Sequence, residues 1–200
     1  MNKYLQLLRE IKSVSMATVD EYNYPQVRII DVMLVKNDEL YFCTARGKDF
    51  HKQLISTKKI SIVGLSKKYE MVKLTGDVIH LMDDENIIDE IFDNNPMMNE
   101  LYKEDSRYIL EGFCVKDALI EFFDLSSLPI DRKTTTIGNF KIKSKIYKIT
   151  KNCIQCGKCY SICPQNCISD ELEINQSRCL RCGYCFENCP VEAIGCVEND

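Results

Sequence analysis

The chain has 200 residues, a formal net charge of -4 and 45% hydrophobic residues, so it is long enough to bury a core. The mild acidic charge argues against nucleic acid as a partner, and no apolar run approaches the roughly 20 residues of a membrane span. The amino terminus mixes charges into its apolar residues and lacks a signal-peptide core, so we expect a cytoplasmic protein without a membrane partner.

The body of the chain opens with an amphipathic helix and a group of strands. Leu5, Leu8 and Ile11 recur at helical spacing, which predicts a helix over 2–12. Alternating or β-branched residues predict the next elements as three antiparallel strands in meander order. These strands are expected over 15–19, 26–35 and 40–44.

A polar turn follows the third predicted strand. Thr44 precedes Ala45-Arg46-Gly47-Lys48-Asp49, and helical spacing begins again at Phe50. A helix N-terminus offers unpaired N–H groups and partial positive charge, which suit a phosphate group. An exposed basic turn without a ligand is the alternative interpretation.

The rest of the body predicts further strands and a helical insertion. In chain order the elements are strands over 60–65 and 71–80, helices over 83–93 and 96–104, and strands over 108–115 and 118–125. Gly76, inside a predicted strand, indicates a bulge or the close approach of another group. This order of elements favours a small barrel.

Four segments of the body carry a family likeness. They are Met-Ala-Thr-Val-Asp (16–20), Tyr-Pro-Gln-Val-Arg-Ile-Ile (24–30), Leu-Tyr-Phe-Cys-Thr-Ala-Arg-Gly-Lys (40–48) and Lys-Gln-Leu (52–54). Together they resemble the FMN-binding split barrels of the pyridoxamine-phosphate-oxidase-like superfamily. The resemblance covers about residues 3–125 and implies a homodimer in which two subunits share each flavin.

The resemblance also implies a set of flavin contacts. The positions that match the family's phosphate-binding arginine, threonine and lysine are Arg28, Thr44 and Lys48. Those whose backbone is expected to border the isoalloxazine ring are Val27, Ile29 and Cys43. Charged donors beside a helix N-terminus suit a phosphate dianion, and an arginine within an apolar strand needs a partner.

The sequence departs from the pyridoxamine phosphate oxidases in two places. Met33 stands where those enzymes carry a further lysine, and the phosphate loop over 45–48 is shorter. These differences weaken an oxidase assignment more than they weaken FMN binding. Because some split barrels bind deazaflavin F420 or haem, these two groups are the alternatives to FMN.

The tail repeats one cysteine pattern, Cys-x2-Cys-x2-Cys-x3-Cys-Pro. Three sulfurs at every third residue can surround one iron–sulfur cubane, whereas the fourth sulfur ligates the other cluster in two-cluster ferredoxins. The predicted ligands of one [4Fe–4S] cluster are Cys153, Cys156, Cys159 and Cys189. Those of the second are Cys179, Cys182, Cys185 and Cys163.

Zinc sites and disulfides fit this repeat poorly, because zinc sites usually pair CxxC units and disulfides need an oxidising compartment. The segment over about 145–200 resembles the bacterial-type two-[4Fe–4S] ferredoxin domain, with strands expected over 145–150 and 171–174. Cys167 and Cys196 lie outside the pattern. Packing is the expected role of Cys167, and a reserve ligand or redox-reactive thiol is the alternative.

The predicted architecture is α+β, with an N-terminal split β-barrel over 1–125, a polar linker over 126–144 and a small two-cluster ferredoxin-like domain over 145–200. The predicted function is a flavin/iron–sulfur oxidoreductase that passes electrons between two clusters and FMN and acts on a small-molecule substrate or redox protein. No catalytic residue is identified. The alternatives are an electron carrier whose barrel is a dimerisation or docking module, and oxidation of pyridoxamine phosphate itself.

Overall fold

A computed structural model describes residues 2–82, 84–141 and 144–199. Residues 1, 83, 142, 143 and 200 lie outside these ranges. Residue 83 opens the helix predicted over 83–93, residues 142 and 143 belong to the linker predicted over 126–144, and residues 1 and 200 end the two predicted domains. The chain divides into two compact units. The barrel unit is Met1–Ile120 with Thr135–Phe140, and the tail unit is Glu121–Thr134 with Lys141–Asp200.

Eight strands form one curled sheet. They are β1 Ser13–Val19, β2 Pro25–Asp31, β3 Leu34–Lys36, β4 Glu39–Ala45, β5 Lys59–Leu65, β6 Glu70–Leu81, β7 Leu110–Asp124 and β8 Asp131–Ile137. The strand order is β2-β1-β5-β6-β7-β4-β3, and β8 pairs with β7 off this path. The described pairings of β1 with β2, β1 with β5 and β4 with β7 are antiparallel. This curled sheet with few helices is a split barrel.

Helices cover parts of this sheet. They are α1 Lys3–Ile11, α2 Asp49–Thr57, α3 Glu85–Asn94, the short α4 Met98–Leu101 and a 3₁₀ helix over Glu104–Ile109. In α1, Leu5 and Leu8 are fully buried, as the helical spacing of its apolar residues requires. In β1, Val14 and Met16 are buried while Ser13 is exposed, because successive side chains of a strand point to opposite faces.

The predicted meander is confirmed in its first pairs, because β1 pairs with β2 and β3 pairs with β4, but it is wrong for the sheet as a whole, because β5 joins β1. The segment expected as one strand over 26–35 forms β2 and β3, because the N–H of Val32 bonds to Lys12 and that of Met33 bonds to Tyr41, at 2.8 and 2.9 Å. β4 pairs with β3 on one side and with β7 on the other, and α2 carries the chain from β4 to β5, which joins β1. The pair expected over 108–115 and 118–125 is the single strand β7.

Gly76 confirms the predicted close approach of another group. A Cβ atom at this position would lie 2.4 Å from the carbonyl oxygen of Asp117 and 2.6 Å from Cβ of Ala118. Only glycine therefore lets β6 and β7 lie this close.

The tail unit contains α5 Lys158–Ile162, α6 Tyr184–Glu187 and a two-stranded sheet of β9 Ser144–Ile149 and β10 Ile194–Asn199. The second strand expected over 171–174 is wrong, since this segment contributes only the bridge between Ile168 and Ile174. Part of the linker predicted over 126–144 forms β8, in which successive threonines and Ile137 favour extended backbone.

Candidate functional site

The tail unit gathers the motif cysteines around two cavities. The cysteines that line the first, which has an empty volume of ≈ 320 Å³, are Cys153, Cys156, Cys159 and Cys189. Those that line the second, with an empty volume of ≈ 360 Å³, include Cys163, Cys179, Cys182 and Cys185. Each cavity thus combines three cysteines of one motif with the fourth of the other. The structure brings the predicted ligand sets together in this crossed grouping, and ligation of iron by them stays a prediction.

Matched left-handed residues shape the cysteine loops. Gln155 has a φ of 56° and Arg181, at the equivalent position of the second motif, has a φ of 58°. The N–H of Gln155 lies 3.3 Å from Sγ of Cys153, and the N–H of Arg181 lies 3.4 Å from Sγ of Cys179. A hydrogen bond to a thiolate favours its charged form, which is the form that binds metal.

The two cavities differ beside the fourth cysteine of each motif. Cys167 lines the second cavity, and its Sγ is 3.5 Å from Sγ of Cys163. Its counterpart in the first cavity is Ala193, whose N–H lies 3.2 Å from Sγ of Cys189. Cys167 is buried, as expected for a packing role, but it also presents a fifth sulfur to its cavity. Cys196 is exposed on β10.

Arg132, which the sequence did not indicate, bonds to the backbone of Cys179, one of the residues that line the second cavity. It is buried on β8, where Nη1 donates to the carbonyl of Cys179 at 2.6 Å and Nη2 to Oε1 of Glu121 at 2.8 Å. Hydrogen bonding from Cys167 lowers the pKa of Cys179 against the opposing effect of burial, and the N–H of Arg181 and the charge of Arg132 lower it further. No spacing rule links residues 132 and 179.

In the barrel unit, Arg28 carries a half-buried positive charge on the edge strand β2. Nη1 donates to Oγ1 of Thr18 at 2.5 Å and Nη2 to Oε1 of Gln53 at 2.9 Å. The guanidinium lies 4.4 Å from the ring centroid of Phe50, and burial lowers its pKa. Both acceptors are neutral, and no carboxylate within the described residues pairs with Arg28. An anion would therefore complete its environment.

The other predicted phosphate contacts flank the start of α2. Thr44 is buried near the end of β4, and Lys48 is the exposed N-cap of α2, where no side chain caps the helix. The charge of Lys48 partly offsets the burial that raises the pKa of Cys43 to about 12. The described hydrogen bonds connect Arg28 to α2 through Gln53, but not directly to Thr44 or Lys48.

The remaining positions divide into exposed and buried ones. Val27 and Ile29, expected to border the flavin ring, are 68% and 66% exposed. Met33, which replaces a family lysine, is buried in an apolar cluster with Ile88 and Phe92 of α3. Met33 therefore belongs to the core.

Comparison with known families matches both units. Residues 1–108 match the family described as pyridoxamine 5'-phosphate oxidase. The chain belongs to the pyridoxamine 5'-phosphate oxidase family. Residues 146–169 and 172–195 match the 4Fe-4S binding domain. Among curated proteins, none matches this chain.

Solved structures similar to this family member share its barrel fold. A NimC/NimA family protein from Clostridium acetobutylicum is 22% identical, with a TM-score of 0.58, over 68% of this chain and 91% of its own. A protein from the same organism, related to general stress protein 26 of B. subtilis, is 15% identical, with a TM-score of 0.51, over 68% and 95%. PhzG from Burkholderia lata 383 is 16% identical, with a TM-score of 0.51, over 66% and 85%. At these identities the likeness shows the fold alone.

This member of the pyridoxamine 5'-phosphate oxidase family combines a flavin-binding type of split barrel with a 4Fe–4S domain. It is thus a redox protein of flavoprotein and iron–sulfur character. The predicted fold class and both predicted resemblances are confirmed. Within the described ranges, every helix is too short or too polar to cross a membrane.

Paired substitutions test the crossed ligand sets. Cys163→Ala combined with Cys182→Ala removes two sulfurs from one cavity, so we expect the double variant to keep about four of about eight irons per chain. Cys163→Ala combined with Cys156→Ala removes one sulfur from each cavity and should abolish both clusters. Iron and sulfide are measured per chain after anaerobic purification.

Uncrossed ligation predicts the reverse result for these two double variants. Cys196→Ala is the control, since Cys196 is exposed on β10 and lies outside both ligand sets, and it should leave the iron content unchanged.

Proposed function

We propose that this chain is an oxidoreductase that passes electrons between two [4Fe–4S] clusters in its tail unit and an FMN in its barrel unit. The observation that carries the proposal is the crossed grouping of eight cysteines around two cavities, in a chain whose other unit has a flavin-binding type of fold. The ligands are those predicted: Cys153, Cys156, Cys159 and Cys189 for one cluster, and Cys179, Cys182, Cys185 and Cys163 for the other.

Iron–sulfur clusters and a flavin complement each other in the number of electrons that they transfer in one step. Each cubane transfers one electron, whereas a flavin exchanges electrons singly or as a hydride. The combination connects a one-electron donor to a two-electron acceptor, which is a small molecule or a redox protein. Covalent fusion keeps clusters and flavin at a high effective concentration, and a reducing compartment such as the cytoplasm keeps the thiolates available.

FMN is the flavin that the barrel unit suits best. Arg28 presents a half-buried guanidinium without an anionic partner among the described residues, and Lys48 adds a second cation at the N-cap of α2. The first turn of α2 supplies further N–H groups and partial positive charge. These donors favour a terminal phosphate dianion, which FMN has and riboflavin lacks.

Lys48→Ala tests this phosphate contact. A hydrogen bond to a charged group contributes about 1.5–3 kcal/mol, so FMN affinity should fall by about tenfold to a hundredfold. Riboflavin affinity should stay unchanged, because riboflavin has no phosphate. Both affinities are measured by quenching of flavin fluorescence.

Lys52→Ala is the matched control, since Lys52 lies one turn further along α2 and pairs with Asp49 at 3.1 Å. Equal losses of FMN and riboflavin affinity in Lys48→Ala would contradict the phosphate assignment.

We also propose that two copies of the chain associate through β2. Val27 and Ile29 expose most of their surface on this edge strand, and apolar side chains of this size favour burial against a partner. Their neighbours Ala17 and Ser15 in β1 are small, so the face is open to a second copy.

Val27→Asp should convert the wild-type dimer to a monomer, because the interface would then bury an unpaired carboxylate. Sedimentation velocity measures the oligomeric state. Lys67→Asp, in the exposed turn before β6, is the control that should remain dimeric. A monomeric wild type, or a dimeric Val27→Asp variant, would overturn the proposal.

The electron path is tested on anaerobically purified protein with about eight irons per chain and bound FMN. Mixed with a reduced ferredoxin, the wild type should bleach its flavin absorbance at least about tenfold faster than the Cys163→Ala/Cys156→Ala double variant, which should lack both clusters, because the tethered clusters act at high effective concentration. Stopped-flow absorbance gives both rates.

Equal rates would mean that the clusters do not reduce the flavin. Full cluster loading without flavin would instead support an electron carrier.

A further inference from the structure

Three side chains from separate elements of the barrel unit converge outside the predicted flavin contacts. They are His51 of α2, His80 of β6 and Glu111 of β7. Nε2 of His51 and Nε2 of His80 lie 2.6 and 2.5 Å from the same oxygen, Oε2 of Glu111. The potential ligand atoms of this His–His–Glu trio all lie within 4.8 Å of one another. We propose that the trio binds one divalent transition-metal ion, with Zn²⁺ as the ion used to test it.

The donor set has the chemistry of such a site. Two imidazole nitrogens and a carboxylate oxygen hold zinc in several enzymes and leave a fourth position open, and Fe²⁺ uses the same set. Metal bonds of roughly 2.0–2.2 Å require only that Oε2 of Glu111 withdraws slightly from the two nitrogens. Both histidines already direct Nε2 to the same oxygen of Glu111.

Packing holds both imidazole rings in place. Phe113 of β7 stacks on His80 with ring centroids 4.9 Å apart and meets His51 edge-on at 5.5 Å. The two histidine rings are themselves perpendicular, with centroids 5.4 Å apart. Because Phe113 is fully buried, it fixes both histidine rings, and ligands that are already held in place favour metal binding.

Charge and access also fit a cation. Glu111 is a buried carboxylate, whose other oxygen, Oε1, lies 3.5 Å from Nη1 of Arg46. Arg46 also donates to the carbonyl of Tyr108 at 2.7 Å, so it can hold the carboxylate with Oε2 towards the histidines, as outer partners of metal ligands do. A cavity with an empty volume of ≈ 350 Å³ opens beside Glu111 and Arg46 and offers an entry path.

A metal site and a plain hydrogen-bonded cluster differ in what the two Nε2 atoms of the trio bind. In a hydrogen-bonded cluster both Nε2 atoms carry protons and donate to Glu111, and added metal has no place among them. In a metal site both Nε2 atoms bind the ion. The cysteines of the tail unit are the competing ligands for zinc, and they supply sulfur rather than nitrogen.

The test uses the full chain with its clusters loaded. The protein is incubated anaerobically with ZnCl₂ and desalted, and zinc and iron are then measured on the same sample. We expect about one zinc per chain with unchanged iron, and a zinc absorption-edge spectrum with nitrogen and oxygen neighbours near 2.0–2.1 Å and no sulfur near 2.3 Å. No retained zinc, or zinc with sulfur neighbours, would overturn the proposal.

Variants locate the ion. His80→Ala and Glu111→Gln should each weaken zinc affinity at least about tenfold. Removing an outer partner of a metal ligand already lowers metal affinity by this factor, and removing a ligand itself should lower it further. Glu85→Gln is the control, because Glu85 lines the same cavity but lies outside the trio, and its affinity should equal that of the wild type. Equal affinity in all variants would overturn the site, and the wild-type spectrum decides the case even if a substitution unfolds the chain.

Discussion

The tail unit depends on a backbone constraint, the left-handed conformation that recurs at matched places in its two cysteine loops. Gln155 and Arg181 turn the chain so that their own N–H groups face the first sulfur of each motif. Such turns let cysteines spaced by three residues surround one cavity. The fourth cysteine then leaves its own loop and lines the cavity of the other, which ties both halves of the repeat into one unit.

The barrel unit carries two cations at the positions proposed for the FMN phosphate. Arg28 bonds to neutral Thr18 and Gln53, and Lys48 stands at an uncapped helix start. Burying a cation without an anion is unfavourable, so the half-buried guanidinium of Arg28 is consistent with the proposed phosphate ligand. The same unit holds the carboxylate of Glu111 between two histidines and an arginine, which is a second polar cluster with a separate chemistry.

What the sequence could predict follows from how local each signal is. The cysteine motifs are local, so their spacing alone indicated the crossed grouping that appears at Cys163 and Cys189. Strand order is not local, and the expected meander holds for the pairs β1–β2 and β3–β4 but ends at β4, because α2 carries the chain across the sheet to β5. Likewise, the buried contact of Arg132 with Cys179 and the approach of His51 and His80 to Glu111 join residues that no periodicity relates. Gly76 was an exception, because glycine itself marks close backbone contact.

The interior of the tail unit has a further consequence for how the chain matures. The tail unit buries Cys167, Ile168 and Cys179 in one cluster and Ile146, Ala193 and Ile194 beside the β9–β10 sheet, whereas the barrel unit buries large side chains such as Phe42 and Phe113. Small domains with little apolar interior are often stabilised by bound metals, and metal binding then supplies folding free energy. Iron availability during synthesis would thus govern the tail unit alone, and an iron-starved cell would accumulate chains with an intact barrel and an unfolded carboxyl-terminal end.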